Sequence, residues 1–594
     1  MSRGEGPRGA HFASEAGRAR RDGGSGKHFS ASAQGAKGGD EVPASAEGDA
    51  DKDVEPVASD DDDFSSSGDY ESVGRSARLM TGLIVVSRVT GFVRTWVMGV
   101  ALGVSLLSTS YQVAQNLPAM LYDLVMGGML VTAFLPVYMD VRRRRGKRGA
   151  EEYIGNLLGI LLLLLGVLSL AASVFAPAFI WTQSFMSGDA DGMDTAVLFF
   201  RFFAFQILFY GLSSVFSGVL NAHRDYFWSN LGPILNNVVV ITGFALFPVL
   251  EHVNELLAVI VLAVSATLGV FVQMACQIPA LHRHGIHPRV HVDFHDPALR
   301  QTLSLGIPTL VATVCTFLTT SVQNAAALVV QPETGASVIS YARLWYTLPY
   351  ALLAVSLTTA LYTELARDAA RDDLPAVRRG VSTGIGQMMF YLIPFALYLM
   401  VFSTPLNMIY CAGKFSLEGV ALVSEYLRFL AVALPFYGMF ALMQKSCSAL
   451  MNMKPYAVAC ILGAVGQIAV VLGVGVGLGA GMPAIAASTA VSYIASDIGA
   501  LVWMRGRLHG IQLRTILHGV FFGLLLGGLG AAAGGGVYAL LEAVIGPVTG
   551  SLAQSFAYVA VAGTVSLLVT FVPAVVLRLP EAAMISSVTR RFSK

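Results

Sequence analysis

Four ionisable side chains stand inside stretches whose composition otherwise suits lipid. Arg88 and Arg94 lie six residues apart in an apolar run that starts near Leu79. Asp123 follows Asn116 and Pro118 in the next run, and Arg343 precedes Pro349 in a later one. At 1.5 Å per residue, Arg88 lies about 13 Å and Arg94 about 22 Å along its helix, and the two point about 120° apart. That separation suits the wall of a wide cavity better than one tight binding point. An ionisable group at bilayer depth costs roughly 2.5–3.5 kcal/mol on insertion scales, so it faces a bundle interior or a hydrated cavity. The guanidinium fork matches phosphate oxygens in bidentate geometry. Three arginines against one acid describe a hydrated cationic chamber for an anionic group, with Asn116 and Asp123 on its wall. The competing reading is that Asp123 pairs with one arginine and pins two helices together, which leaves the other bases unneutralised.

Other charged residues carry weaker expectations. Arg201 lies near the start of a crossing and snorkels outward. Glu425 and Arg428, three residues apart, read as an intrahelical ion pair. Lys445 falls near the inner end of the same crossing. Asp497 is a lone carboxylate, either hydrated or a candidate coupling site for a cation or proton. Five cysteines (Cys276, Cys315, Cys411, Cys447 and Cys460) form no disulfide pattern and have no metal-ligand spacing. His282, His284, His287, His291 and His295 crowd one loop, where polar surface residues are the simpler reading than a metal site. There is no phosphate-binding loop, no H-E-x-x-H and no G-x-S-x-G. No catalytic set, metal or cofactor is expected, and no nucleic-acid partner.

The elements that must position these residues follow from composition. The chain has 594 residues, 55% hydrophobic and only 13% charged, with a mean hydropathy of +0.63. Soluble domains carry about 25% charged residues. Apolar runs of 20 or more residues recur, each long enough to cross a bilayer. They do not alternate, so they read as helices rather than barrel strands. The fold class is an all-α polytopic membrane protein with fourteen expected crossings: 79–103, 110–139, 153–182, 194–221, 226–250, 254–281, 301–330, 335–364, 378–410, 419–448, 455–478, 481–504, 514–542 and 552–578. With the N-terminus cytoplasmic, the inside loops hold 18 Lys and Arg and the outside loops hold one, Lys414. That asymmetry fits the positive-inside rule and places both termini in the cytoplasm.

The net charge of +1 is a sum over unlike parts. Residues 1–71 carry 8 bases and 16 acids, with an unbroken acidic run from Asp60 to Asp63. That composition buries too little apolar surface to fold, so 1–77 reads as a disordered acidic tail. No apolar stretch follows its early arginines, so it does not read as a signal peptide. The rest divides into an N-terminal lobe (78–281, helices 1–6), a C-terminal lobe (282–508, helices 7–12) and a final pair (509–594, helices 13–14). Helix 2, with Tyr111 and Leu117-Pro118, and helix 8, with Tyr341 and Leu348-Pro349, are faintly alike. Six helices separate them, which fits a duplicated transporter with its site between the halves.

Ordered pieces of the chain resemble the MurJ (MviN) lipid II flippase family. They are Ser87-Arg88-Val89-Thr90-Gly91-Phe92-Val93-Arg94, Asn116-Leu117-Pro118, Ala133-Phe134-Leu135-Pro136, Gly218-Val219-Leu220-Asn221-Ala222, Tyr341-Ala342-Arg343-Leu344 and Gly413-Lys414-Phe415. The resemblance implies the multidrug/oligosaccharidyl-lipid/polysaccharide exporter fold, with a lipid-accommodating groove from helices 13 and 14. It implies a multi-pass protein of the bacterial plasma membrane that moves undecaprenyl-pyrophosphate-linked peptidoglycan precursor (lipid II) to the outer leaflet. Lipid II and membrane lipids are then the expected partners, with cell-wall synthesis proteins as further candidates. The chain departs from the family pattern at several points. Tyr122-Asp123 stands where the family commonly has an arginine pair, Thr95 replaces an acid, and Arg343 aligns only with a one-residue shift. Acids that hold sodium in some members have no counterpart, and Gln467 is the polar residue in the core of helix 11. The alternatives are an exporter of another polyprenyl-linked polysaccharide or of drugs, a membrane glycosyltransferase or ligase acting on the same lipid, and a non-transporting scaffold for cell-wall enzymes.

Overall fold

A computed structural model describes residues 69–127, 134–187, 191–287, 289–548 and 551–584. The long apolar runs form helices because a backbone in lipid must satisfy its own hydrogen bonds. In chain order they are α1 (Asp69–Leu102), α2 (Leu106–Tyr122), α3 (Leu135–Val174), α4 (Ala176–Ser184), α5 (Asp191–Phe203), α6 (Phe205–Ala222), α7 (Tyr226–Glu251), α8 (Glu255–Ala275), α9 (Ile278–Arg283), α10 (Pro297–Val330), α11 (Gly335–Pro349), α12 (Val355–Ala370), α13 (Leu374–Val401), α14 (Ser403–Met408), α15 (Leu417–Ala431), α16 (Leu434–Ala449), α17 (Lys454–Val470), α18 (Gly481–Arg507), α19 (Leu513–Ile545) and α20 (Leu552–Val576). Among the described residues twelve helices or continuous helix pairs are long and apolar enough to cross a membrane. They become thirteen if α15 and α16, bent by 49°, form one span. The remaining expected crossing, 110–139, includes residues 128–133, which lie outside the described residues. α1 begins at Asp69, so the last residues assigned to the acidic tail are helical. Asp69 and Glu71 fall in its first turn, where negative charge suits the helix dipole. Residues 1–68 lie outside the described residues.

Short capped turns reverse the chain. Ser105 Oγ accepts from Ser108 N at the start of α2, Asn254 Oδ1 from Leu257 N at α8, and Ser416 Oγ from Gly419 N at α15. Each cap satisfies one of the donors that a helix start leaves open. Consecutive crossings therefore run antiparallel between a near face, where α1 begins, and a far face, where it ends. α1 packs on α7, α2 on α5, α3 on α6 and α7 on α8; α10 packs on α17, α11 on α15, α13 on α16 and α17 on α18. The loop after α9 lies on α3, where its main chain passes over Gly155 and Gly159. A Cβ at either glycine would stand 2.1 Å from Arg289 O or 2.0 Å from His291 O. Asn156 clamps the same loop, donating to Asp293 O at 2.8 Å and accepting from Asp293 N at 2.6 Å.

α19 reaches α13 through a glycine row at every fourth position. A Cβ at Gly519 would lie 2.2 Å from Gly386 O, and one at Gly527 would lie 2.9 Å from Pro394 Cα. Gly530 and Gly534 turn the same close approach toward Thr570 and Ser566 of α20. Water-driven burial is absent between helices in lipid, so such small-residue contacts and dispersion hold the pair together.

Candidate functional site

Two helices end in wide turns at matching places. α2 contains Pro118 and passes into a π-helical turn over Asp123–Gly127, and α11 ends at Pro349 and passes into one over Tyr350–Ala354. Each proline removes one amide donor from the turn before it, and the wider turn follows it in the chain. Tyr111 and Tyr341, the paired tyrosines of the sequence comparison, are both fully buried. Tyr111 sits edge-on to Phe199, Phe203 and Phe244, and Tyr341 packs on Tyr410 and Phe415.

On the wall built by the first helices, Arg88 is exposed from the protein, Arg94 and Asn116 are half-buried, and Asp123 is exposed at the head of its π turn. Arg94 and Asp123 both lie within electrostatic range of Tyr210 on α6. Neither arginine forms an ion pair with Asp123 among the described residues, so the pinning alternative is not the arrangement in this state. Beside Arg88, Asn237 Nδ2 donates to Thr90 Oγ1 at 3.0 Å and to Ser87 O at 3.4 Å.

Arg343 is elsewhere. Its Nη2 donates to Gln323 Oε1 at 3.1 Å. The guanidinium lines a chamber of about 350 Å³ between α10, α11, α16, α17 and α18, with Thr319, Tyr437, Gln467, Ser492 and Tyr493 among its walls. The three expected arginines thus occupy two places: Arg88 and Arg94 on α1, and Arg343 inside the second set of helices. Asp497, next to the lining residue Ser496, is 2% exposed, and neither carboxylate oxygen has a hydrogen-bond partner among the described residues. It is a buried acid. Gln323 and Tyr210 were not singled out in the sequence, because neither type is unusual in a helix; only their neighbours mark them.

Between the two sets of helices the far face is sealed. Lys414 N donates to Val100 O at 2.9 Å, Trp96 Nε1 to Ile409 O at 2.9 Å and Thr109 Oγ1 to Glu333 O at 2.7 Å. Tyr341 donates to Gly103 O at 3.0 Å, and Lys414 Nζ meets Glu251 Oε1 at 2.7 Å. Gly103 and Gly413 both adopt φ near +60°, which lets the chains touch: a Cβ on Gly103 would stand 2.3 Å from Lys414 O. Beside this seal an apolar groove of about 530 Å³ runs between Phe92, Val93 and Trp96 of α1 and Leu552, Phe556 and Ala557 of α20.

One weaker expectation resolves differently. Arg428 does not pair with Glu425; it donates to Ser403 Oγ at 2.7 Å and Thr404 Oγ1 at 2.9 Å. Lys445 lies over the ring of Tyr362. The five cysteines are free thiols, and among the described residues no group of three or more His, Cys, Asp or Glu is placed to hold a metal. In the histidine loop His282 meets His287 at 3.0 Å, and His284 meets Asp225 at 3.0 Å.

The fold resembles two solved structures. A lipid II flippase MurJ in an inward closed conformation superposes with a TM-score of 0.66 at 19% identity, covering 84% of this chain and 99% of that one. An inward-facing multidrug resistance MATE family transporter of the MOP superfamily superposes at 0.62 and 14% identity, covering 71% and 94%. Among curated relatives, the lipid II flippase MurJ of Burkholderia cenocepacia is 26% identical over 367 residues, 61% of this chain and 70% of its own length. The probable lipid II flippase MurJ of Borreliella burgdorferi is 22% identical over 411 residues, 69% and 78%. The model of the family described as lipid II flippase MurJ matches residues 98–554, which leaves Arg88 and Arg94 just ahead of the matched segment. This multi-pass membrane protein therefore belongs to the lipid II flippase MurJ family.

Proposed function

We propose that this chain translocates lipid II across the plasma membrane by alternating access, with both termini in the cytoplasm. The observation that carries the reading is the pair Arg88 and Arg94, two guanidinium groups in a membrane-spanning helix with no acidic partner among the described residues. They meet the pyrophosphate, Asn116 and Asp123 line the same wall, and Arg343 serves the cargo from the opposite chamber. The polyprenyl tail stays in lipid along α19 and α20, and the far-face groove between α1 and α20 lies where that tail ends its passage. The far-face seal holds the cavity closed on the outside until the two sets of helices rock apart. An inside-negative potential favours outward movement of anionic cargo by about 2.3 kcal/mol per charge per 100 mV. Asp497 is the candidate coupling group.

The test is the amount of lipid II reached by a membrane-impermeant probe in cells depleted of the protein and of any redundant flippase. Outer-leaflet labelling is expected to fall on depletion and to return with the wild type but not with Arg88→Ala or Arg94→Ala. Unchanged labelling on depletion refutes the reading. Full complementation by both variants favours a scaffold instead. Asp497→Asn is expected to insert and fold but to lose its response to the driving gradient.

A further inference from the structure

We propose that the notch between α14 and α15 binds the headgroup of a zwitterionic aminophospholipid. The notch encloses about 230 Å³ between Thr404, Met408, Leu417, Ser424, Glu425 and Arg428. Glu425 and Arg428 point to it from one face of α15, one turn apart, yet do not neutralise each other. Arg428 is held by Ser403 and Thr404 through Nε and Nη2, which leaves Nη1 open. Glu425 is exposed and has no ion-pair or hydrogen-bond partner among the described residues.

The surroundings say what covers it. Leu417, Phe429 and Val432 are exposed on the same stretch, as apolar side chains that face acyl chains. α15 and α16 are bent by 49°, so 417–449 is not one straight rise through the bilayer. Glu425 is about 12 Å and Arg428 about 16 Å along α15 from its far-face start, in the outer part of a hydrocarbon core of about 30 Å. An exposed carboxylate there is costly unless a cation meets it.

A phosphodiester joined by a short spacer to a primary ammonium supplies both charges. Its phosphate oxygens accept from Arg428, and its N–H donors reach Glu425. An N-methylated headgroup keeps the phosphate contact but offers Glu425 no donor. A headgroup of net negative charge brings repulsion to Glu425.

The experiment uses the full chain in nanodiscs of equal parts phosphatidylethanolamine, phosphatidylcholine and phosphatidylglycerol, with co-released lipids counted by native mass spectrometry. The wild type is expected to retain phosphatidylethanolamine over phosphatidylcholine by about tenfold, the effect of one charge-assisted hydrogen bond. Glu425→Gln brings that ratio near one while total retention persists. Arg428→Gln reduces retention of both zwitterionic lipids. Glu418→Gln, the same charge change about two turns before Glu425 and not among the lining residues, leaves the ratio unchanged, and thermal unfolding confirms that each variant folds. Equal retention by the wild type, a preference for phosphatidylglycerol, or an unaltered ratio in Glu425→Gln overturns the proposal.

Discussion

Gly103→Ala tests whether the far-face seal sets the resting state of the protein. Gly103 has φ +66°, a region that costs a residue with a Cβ roughly 1–2 kcal/mol. That penalty falls on the sealed and opened states alike as long as the turn keeps its shape, so it does not move the balance between them. The contact does. A Cβ at 103 would stand 2.3 Å from Lys414 O, which requires the two chains to part by about 1 Å to reach a normal carbon–oxygen contact near 3.3 Å. Parting them removes the bond from Lys414 N to Val100 O and weakens the bonds from Tyr341 to Gly103 O and from Trp96 to Ile409 O. At about 1 kcal/mol for each net hydrogen bond, one bond lost and two half-lost cost the sealed state about 2 kcal/mol, a shift of roughly 30-fold toward opening. The assay is electron–electron resonance between spin labels at Glu255 and Glu418, both exposed at the far face on opposite sides of the seal. The wild type is expected to give one short distance, and Gly103→Ala a second, longer population that dominates. Gly413→Ala, whose Cβ would stand 2.4 Å from Val100 O, is expected to act in the same direction. An unchanged distance distribution in both variants, with the protein folded, refutes the claim that these contacts hold the face shut.

Three further outcomes follow from packing and charge. Lys414→Gln is expected to shift the same equilibrium by less than tenfold, because the ion pair with Glu251 is half exposed and such pairs contribute about 0.2–1 kcal/mol; salt titration of the label distances checks it. Gly519→Val places a branched side chain against Gly386 O and is expected to free α19 from α13, lowering the Tm by several degrees and exposing the row to protease. Burial and the Arg142 guanidinium hold His223 below its ordinary value near 6.5. The folded state therefore favours neutral His223, whose Nε2 accepts from Arg142. Its contribution to stability is full above about pH 6.5 and is lost as pH falls toward its depressed folded value. The Tm difference between wild type and His223→Gln, followed from pH 8 to pH 5, is expected to shrink; a constant difference counts against this assignment.

The crossings and their charged exceptions were legible in the sequence for one reason. Lipid excludes unpaired backbone and charge, so a long apolar run must be a helix, and Arg88, Arg94 and Asp123 stand out against it. The faint likeness of helices 2 and 8 reappears as two proline-linked π turns and two buried tyrosines. The site was less legible. Successive residues on a helix differ in direction by about 100°, so the place of Arg343 along its helix does not by itself say which cavity it enters. Spacing along one helix does not say which neighbour lies across it, and Gln323, twenty residues earlier, is what holds its guanidinium. Arg428 likewise has a plausible partner three residues away and takes Ser403 and Thr404 from another helix instead.

The sequence by itself determined the solvent of this protein, the course of most of its helices and the sign of its unpaired charges, because each of these follows from local composition and the cost of polarity in lipid. The tertiary structure decided which charges share a cavity and which face is closed. The seal is made largely from main-chain carbonyls at Val100, Gly103, Glu333 and Ile409, groups that every residue carries and no sequence pattern marks. Only the distance between two turns, set by the packing of whole helices, turns them into a lock.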